Sequence, residues 1–115
     1  MIDVQTQRSH ERVRLGGSVR LMVDQHHTMV SAMGVLVDLS EGGCQLRLVR
    51  SVEPHLAARV RLDIAGNSHW LPVVTRWVRR SPDGWTVGCA FDGLTPQKAE
   101  TIRTLLGHLS APTSF

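Results

Sequence analysis

Apolar and polar positions alternate with a period of two through most of this chain, and the period becomes helical only near its end. Residues 1–13 carry no apolar periodicity and read as a flexible arm. After the Gly16-Gly17 break, residues 19–23 (VRLMV) read as a first strand, and residues 24–28 as a polar turn. A second strand runs over residues 29–39. There Val35, Val37 and Leu39 alternate with Leu36, Asp38 and Ser40, which sets Asp38 and Ser40 on the face opposite the first apolar set. Gly42-Gly43 interrupts it, allowing a sharp bend or a close approach of the backbone. Cys44, Leu46 and Leu48 form the inner face of a third strand, and Val60, Leu62 and Ile64 that of a fourth. Residues 65–68 make a turn, and residues 70–79 a fifth strand with Pro72 restricted to its start or an edge. The Ser81-Pro82-Asp83-Gly84 turn leads to a sixth strand, lined on one face by Trp85, Val87, Cys89 and Phe91. Thr95 then caps a helix with Pro96 at its first position. Ala99, Ile102, Leu105, Leu106 and Leu109 form its apolar stripe. The pattern predicts an all-β fold: a six-stranded antiparallel β-barrel over residues 14–94, preceded by the arm, with an amphipathic C-terminal helix over 95–109 and a tail over 110–115.

Composition narrows the function classes. The 115 residues suit one domain, and 42% apolar content suits an independently folding core. No apolar run approaches the length of a membrane span, and the N-terminus lacks the apolar centre of a secretion signal, so a cytoplasmic location without membrane insertion is expected. Cys44 and Cys89 are expected as small buried hydrophobes, with no spacing that suggests redox or metal chemistry. The net charge is +3, built from 12 arginines and a single lysine. Arginine is the residue suited to planar, two-pronged anion recognition. A biased genome accounts for the total; it does not account for Arg8, Arg12 and Arg14 crowding one polar segment. The six histidines show no metal-binding spacing, and neither a nucleophile elbow nor a phosphate loop is present, so no enzyme is expected.

Two short pieces carry chemistry. Arg8 and Arg12 set two guanidiniums four residues apart, and Asp38, Ser40 and Gly43 follow as a carboxylate, a hydroxyl and a glycine at the end of an apolar run. A guanidinium can fork onto a phosphate or the O6/N7 edge of guanine, and a carboxylate can accept from guanine N1–H and N2–H. This pair, R-x-x-x-R then D-x-S-x-x-G after an interval of 26 residues, resembles the PilZ domain family. Trp77, the Gly88-Cys89-Ala90-Phe91 segment and the helical tail are similar to the family's closing elements, so the resemblance covers roughly residues 7–109.

The resemblance implies a six-stranded barrel that binds the second messenger cyclic di-GMP through Arg8, Arg12, Asp38, Ser40 and Gly43. It requires no cofactor and no metal, and relays the signal to an effector protein in motility, biofilm or envelope control. Trp77 is open between a core position and one packing near a guanine. The family often has arginine immediately before R-x-x-x-R, where this chain has Gln7; whether one ligand or a stacked pair binds therefore stays open. Two alternatives belong to other classes. One is a ligand-independent adaptor of the same family, although such members typically lack both motifs. The other is a small basic barrel for single-stranded nucleic acid, which would want exposed aromatics interleaved with basic residues, and the chain has no tyrosine.

Overall fold

The structure, a computed structural model, describes residues 13–14 and 17–110. Its strands are β1 (Val13–Arg14), β2 (Ser18–Gln25), β3 (Thr28–Leu39), β4 (Gly43–Leu48), β5 (Ala57–Ile64), β6 (Asn67–Ser81) and β7 (Gly84–Phe91), followed by helix α1 (Pro96–Ser110). Every pairing is antiparallel. The strand order β3-β2-β5-β6-β7-β4 closes on itself because β4 also pairs with β3, and this is the predicted six-stranded barrel. The short β1 continues the line of β2 along β3, with Val13 opposite Leu39 and Arg14 opposite Asp38. Val13, the last residue assigned to the arm, is thus paired in the sheet.

Closure follows from the period-two pattern: once the sheet curls, each strand turns one apolar set inward and the outer two of the six strands, β3 and β4, pair with each other. Leu21, Leu36, Leu46, Leu62, Leu71 and Val87 fill the interior. Thr75 is the buried polar exception among the described residues, and it is hydrogen-bonded. Its hydroxyl donates to the Glu53 carbonyl at 2.9 Å and accepts from the Leu56 amide at 3.0 Å, tying the segment before β5 to β6. Pro72 lies inside β6, opposite Arg59 of β5. Its carbonyl accepts from the Asp92 amide at 3.1 Å, so its donor-less nitrogen faces that same side, just past the Val73–Phe91 pair where the β6–β7 ladder ends. The position is therefore a local edge within a long strand. At α1, Thr95 Oγ1 accepts from the Lys98 amide at 3.1 Å, the expected cap, and Ile102 and Leu105 bury the apolar stripe.

The alternation in β3 differs from the one read from sequence. Leu36 and Leu39 are buried, and Val35 is exposed. A β-bulge between Leu36 and Asp38 inserts one residue, so positions three apart face the same way. Asp38 still points outward, because the bulge resets the phase just before it. A second bulge, between Thr75 and Trp77 in β6, acts in the same manner. Leu71, Val73 and Thr75 are buried, and without the bulge Trp77 would follow them inward. Instead Val78 packs against the core, and Trp77 is half-buried on the outer surface.

Candidate functional site

Both bulges fall in one cross-strand row. Asp38 of β3 is opposite Gln45 of β4, Gln45 is opposite Gly88 of β7, and Gly88 is opposite Trp77 of β6. Three interstrand steps make this row roughly 14 Å wide from backbone to backbone. A carboxylate stands at one end and an indole at the other. The indole lies on Gly88, where any Cβ would collide with its ring atoms. Arg79 stacks on the same ring, its guanidinium carbon 4.5 Å from the ring centre.

The row is part of an open cleft of about 420 Å³, lined by Asp38, Ser40, Gly42, Gly43, Cys44, Gln45, Arg76, Trp77, Gly88, Cys89 and Ala90. Four predicted positions, Asp38, Ser40, Gly43 and Trp77, come together there. Arg8 and Arg12 lie outside the described residues. Sequence reasoning missed Gln45, Arg76 and Gly88 as parts of this cleft. Gly88 was legible only as a glycine inside a strand pattern, and its purpose depends on which residue faces it across the ladder.

The turn between β3 and β4 accounts for two of these residues in local terms. The Ser40 amide and hydroxyl both donate to the Gly43 carbonyl, at 2.9 and 3.3 Å, which closes a tight turn and directs the hydroxyl proton inward. The lone pairs of Ser40 Oγ remain able to accept. At Gly43 the constraint is closeness: a Cβ there would collide with the Cys89 carbonyl oxygen on β7. The backbone approach expected from the sequence is therefore made first to a neighbouring strand.

Beneath the Asp38 row lies the next one inward: Leu39, Cys44, Cys89 and Thr75, all buried. Both cysteines are small buried groups, as expected, and they are also direct cross-strand neighbours, which their spacing of 45 residues conceals. The hydrogen bond between the two thiols, then burial, then the charges of Cys89 and Asp38 hold the Cys44 pKa well above its ordinary 9.0. The native state thus resists ionisation that the unfolded chain allows. Stability from this source is intact below the ordinary thiol value and is lost as pH rises from there toward the folded-state value. With no tyrosine and one lysine, little else titrates in that window. Urea unfolding under reducing conditions should therefore give a stability that is level at neutral pH and falls above about pH 9. Cys44→Ala should flatten that fall, and an unchanged alkaline slope in the variant would contradict this account.

Among the described residues, no group of three or more His, Cys, Asp or Glu side chains is placed to hold a metal ion. No described helix is long and apolar enough to cross a membrane. A closed barrel with an open external cleft, edged by a carboxylate and an aromatic platform, has the build of a small-ligand binding domain. The sequence pattern of the PilZ domain matches residues 6–108, and the chain belongs to that family.

Solved structures agree on the fold. The PilZ domain of CeSA from a cellulose-synthesizing bacterium superposes with a TM-score of 0.66 at 18% identity, over 86% of this chain and 97% of that one. The PilZ domain of Escherichia coli YcgR, solved with c-di-GMP, gives 0.65 at 11% identity, over 90% and 91%. The Bacillus subtilis inhibitor of motility MotI (DgrA) gives 0.60 at 11% identity, over 85% of this chain and 49% of that one. No curated protein matches the sequence.

Proposed function

We propose that this protein is a receptor for cyclic di-GMP, which binds across the Asp38–Trp77 row and is clasped from above by the arginines of the N-terminal leader. One observation carries the reading: an outward carboxylate and an outward indole at the two ends of one row, with the chain entering the barrel at that carboxylate, where Arg14 stands opposite Asp38. Arg12 and Arg8 lie two and six residues before Arg14. Their backbones are tethered within about 8 and 23 Å of it, at roughly 3.8 Å per residue.

The chemistry of the two sides is complementary. Asp38 accepts from the N1–H and N2–H of a guanine, and the guanidiniums take O6/N7 edges and phosphate oxygens. Ser40 Oγ offers a further acceptor. The Trp77 indole, backed by Gly88, and the Arg79 guanidinium stacked on it make a planar end of the row against which a purine can stack, a contact that contributes about 1–3 kcal/mol per base. Ordering the leader costs about 1–2 kcal/mol per residue. Several charge-assisted bonds, each contributing about 1.5–3 kcal/mol, offset that cost. The output is a changed surface beside β1 and β3, which an effector protein reads. The PilZ domain of YcgR, similar in fold and solved with c-di-GMP, supports the choice of ligand through fold and family rather than through identity.

Calorimetric titration with cyclic di-GMP tests the proposal. Saturable binding at micromolar or tighter affinity is expected, with weaker binding of GMP, which reaches only one end of the row. Absence of binding to the dinucleotide, or equal affinity for both, would leave the family's adaptor role as the better reading.

A further inference from the structure

The side of the barrel opposite the cleft carries a second organised surface. The cleft row crosses β3, β4, β7 and β6, whereas this surface crosses β3, β2, β5 and β6. Its central row runs Met33, Arg20, Arg61, Trp70. The adjoining row places Met22 beside Arg59. All of these side chains alternate with buried ones, so they face outward. Met33 is 51% exposed and Trp70 is 37% exposed, far from the usual state of such large apolar groups.

The arginines here are arranged rather than merely solvated. Arg59 and Arg61 both lie against the Trp70 ring, their guanidinium carbons 5.3 and 5.8 Å from its centre. Arg20 is held by a 2.7 Å bond to the Ser31 hydroxyl, a neutral partner that leaves its charge uncompensated. From α1, Lys98 Nζ donates to the Trp70 carbonyl at 3.0 Å and adds another cation to the edge. Of the nearby carboxylates, Asp63 is engaged by Ser68, Ser18 and Arg61, and Asp24 lies two residues along β2 from Met22, at the far end. Stacked guanidiniums have already lost much of their rotamer freedom, so a partner forming bonds to them loses less entropy. Exposed tryptophan, methionine and arginine together are the composition of interface centres.

We infer that this face docks an acidic protein segment that places carboxylates on Arg20 and Arg59 and an apolar side chain between Met22 and Trp70. Charge complementarity selects the occupant. The exposed Met33 and Trp70 set among the guanidiniums favour a segment that brings an apolar side chain together with its carboxylates, which a phosphate backbone does not. The inference is independent of the dinucleotide, because the two faces lie on opposite sides of the barrel.

The three tryptophans give three indole N–H signals, which makes the test direct. The full chain is titrated with a synthetic amphipathic peptide of glutamate and leucine, without dinucleotide, and in parallel with oligouridylate. The peptide should move the Trp70 signal saturably and leave that of Trp77 in place. The double variant Arg20→Ala/Arg59→Ala should bind the peptide at least about tenfold more weakly. It should keep a wild-type response to cyclic di-GMP at Trp77, so failure here and failure of the receptor reading are separately visible. A Trp70 signal unmoved by the peptide, a shift that persists undiminished in the double variant, or movement with oligouridylate alone would overturn the inference.

Discussion

Replacing Asp38 by alanine should weaken cyclic di-GMP binding by about 10- to 150-fold, the loss of about 1.5–3 kcal/mol expected for a charge-assisted bond. Arg12→Ala should cost a similar amount. Asp38 is on the barrel and Arg12 on the leader, yet both losses are expected because ligand binding joins the two. The variants should differ in how they respond to salt. Removing a guanidinium that faces phosphate reduces the salt dependence of binding, and removing a carboxylate that faces a base edge leaves it intact. Affinity unchanged in both variants would remove the proposed site, whatever the family.

Gly43→Ala should be the most damaging small substitution in the cleft. The added methyl would meet the Cys89 carbonyl oxygen and lie 3.0 Å from the Ala90 Cα, and both atoms belong to the backbone of the β4–β7 ladder. Neither can rotate away, so strands that close the barrel must separate. A destabilisation of about 3 kcal/mol is expected, at the upper end for overpacking, which lowers the melting temperature by roughly 10 °C or more. Gly42→Ala is the control: nothing lies within 4 Å of its added methyl. Its effect should stay within about 0.5 kcal/mol. Thermal unfolding of the pair decides the matter. Equal stability for both variants would mean that Gly43 serves the ligand alone.

What could be read in advance divides along a physical line. Strand and helix positions were legible because each depends on near neighbours. The inner faces of β2, β4 and β5 follow a simple period of two, and the Thr95-Pro96 start of α1 is local chemistry. The Asp38–Gly43 turn was legible as a motif, because the order of its residues along the chain is itself the signal. Trp77 was not legible. Its alternation pointed inward as readily as outward, and only the bulge at Arg76 settles its direction. The β3 phase failed for the same reason: an inserted residue changes the face of everything after it, and no local preference in Val35 to Leu39 announces the insertion.

The amino-acid order by itself determined a six-stranded barrel with a capped helix, and the residue types that a guanine dinucleotide would need, since these rest on periodicity and motif. Tertiary structure alone decided that Asp38, Gln45, Gly88 and Trp77 share a row, that Cys44 meets Cys89, and that Arg59 and Arg61 flank Trp70. Each of these depends on the register between strands distant in sequence, and register is set by closure of the whole barrel rather than by any segment within it.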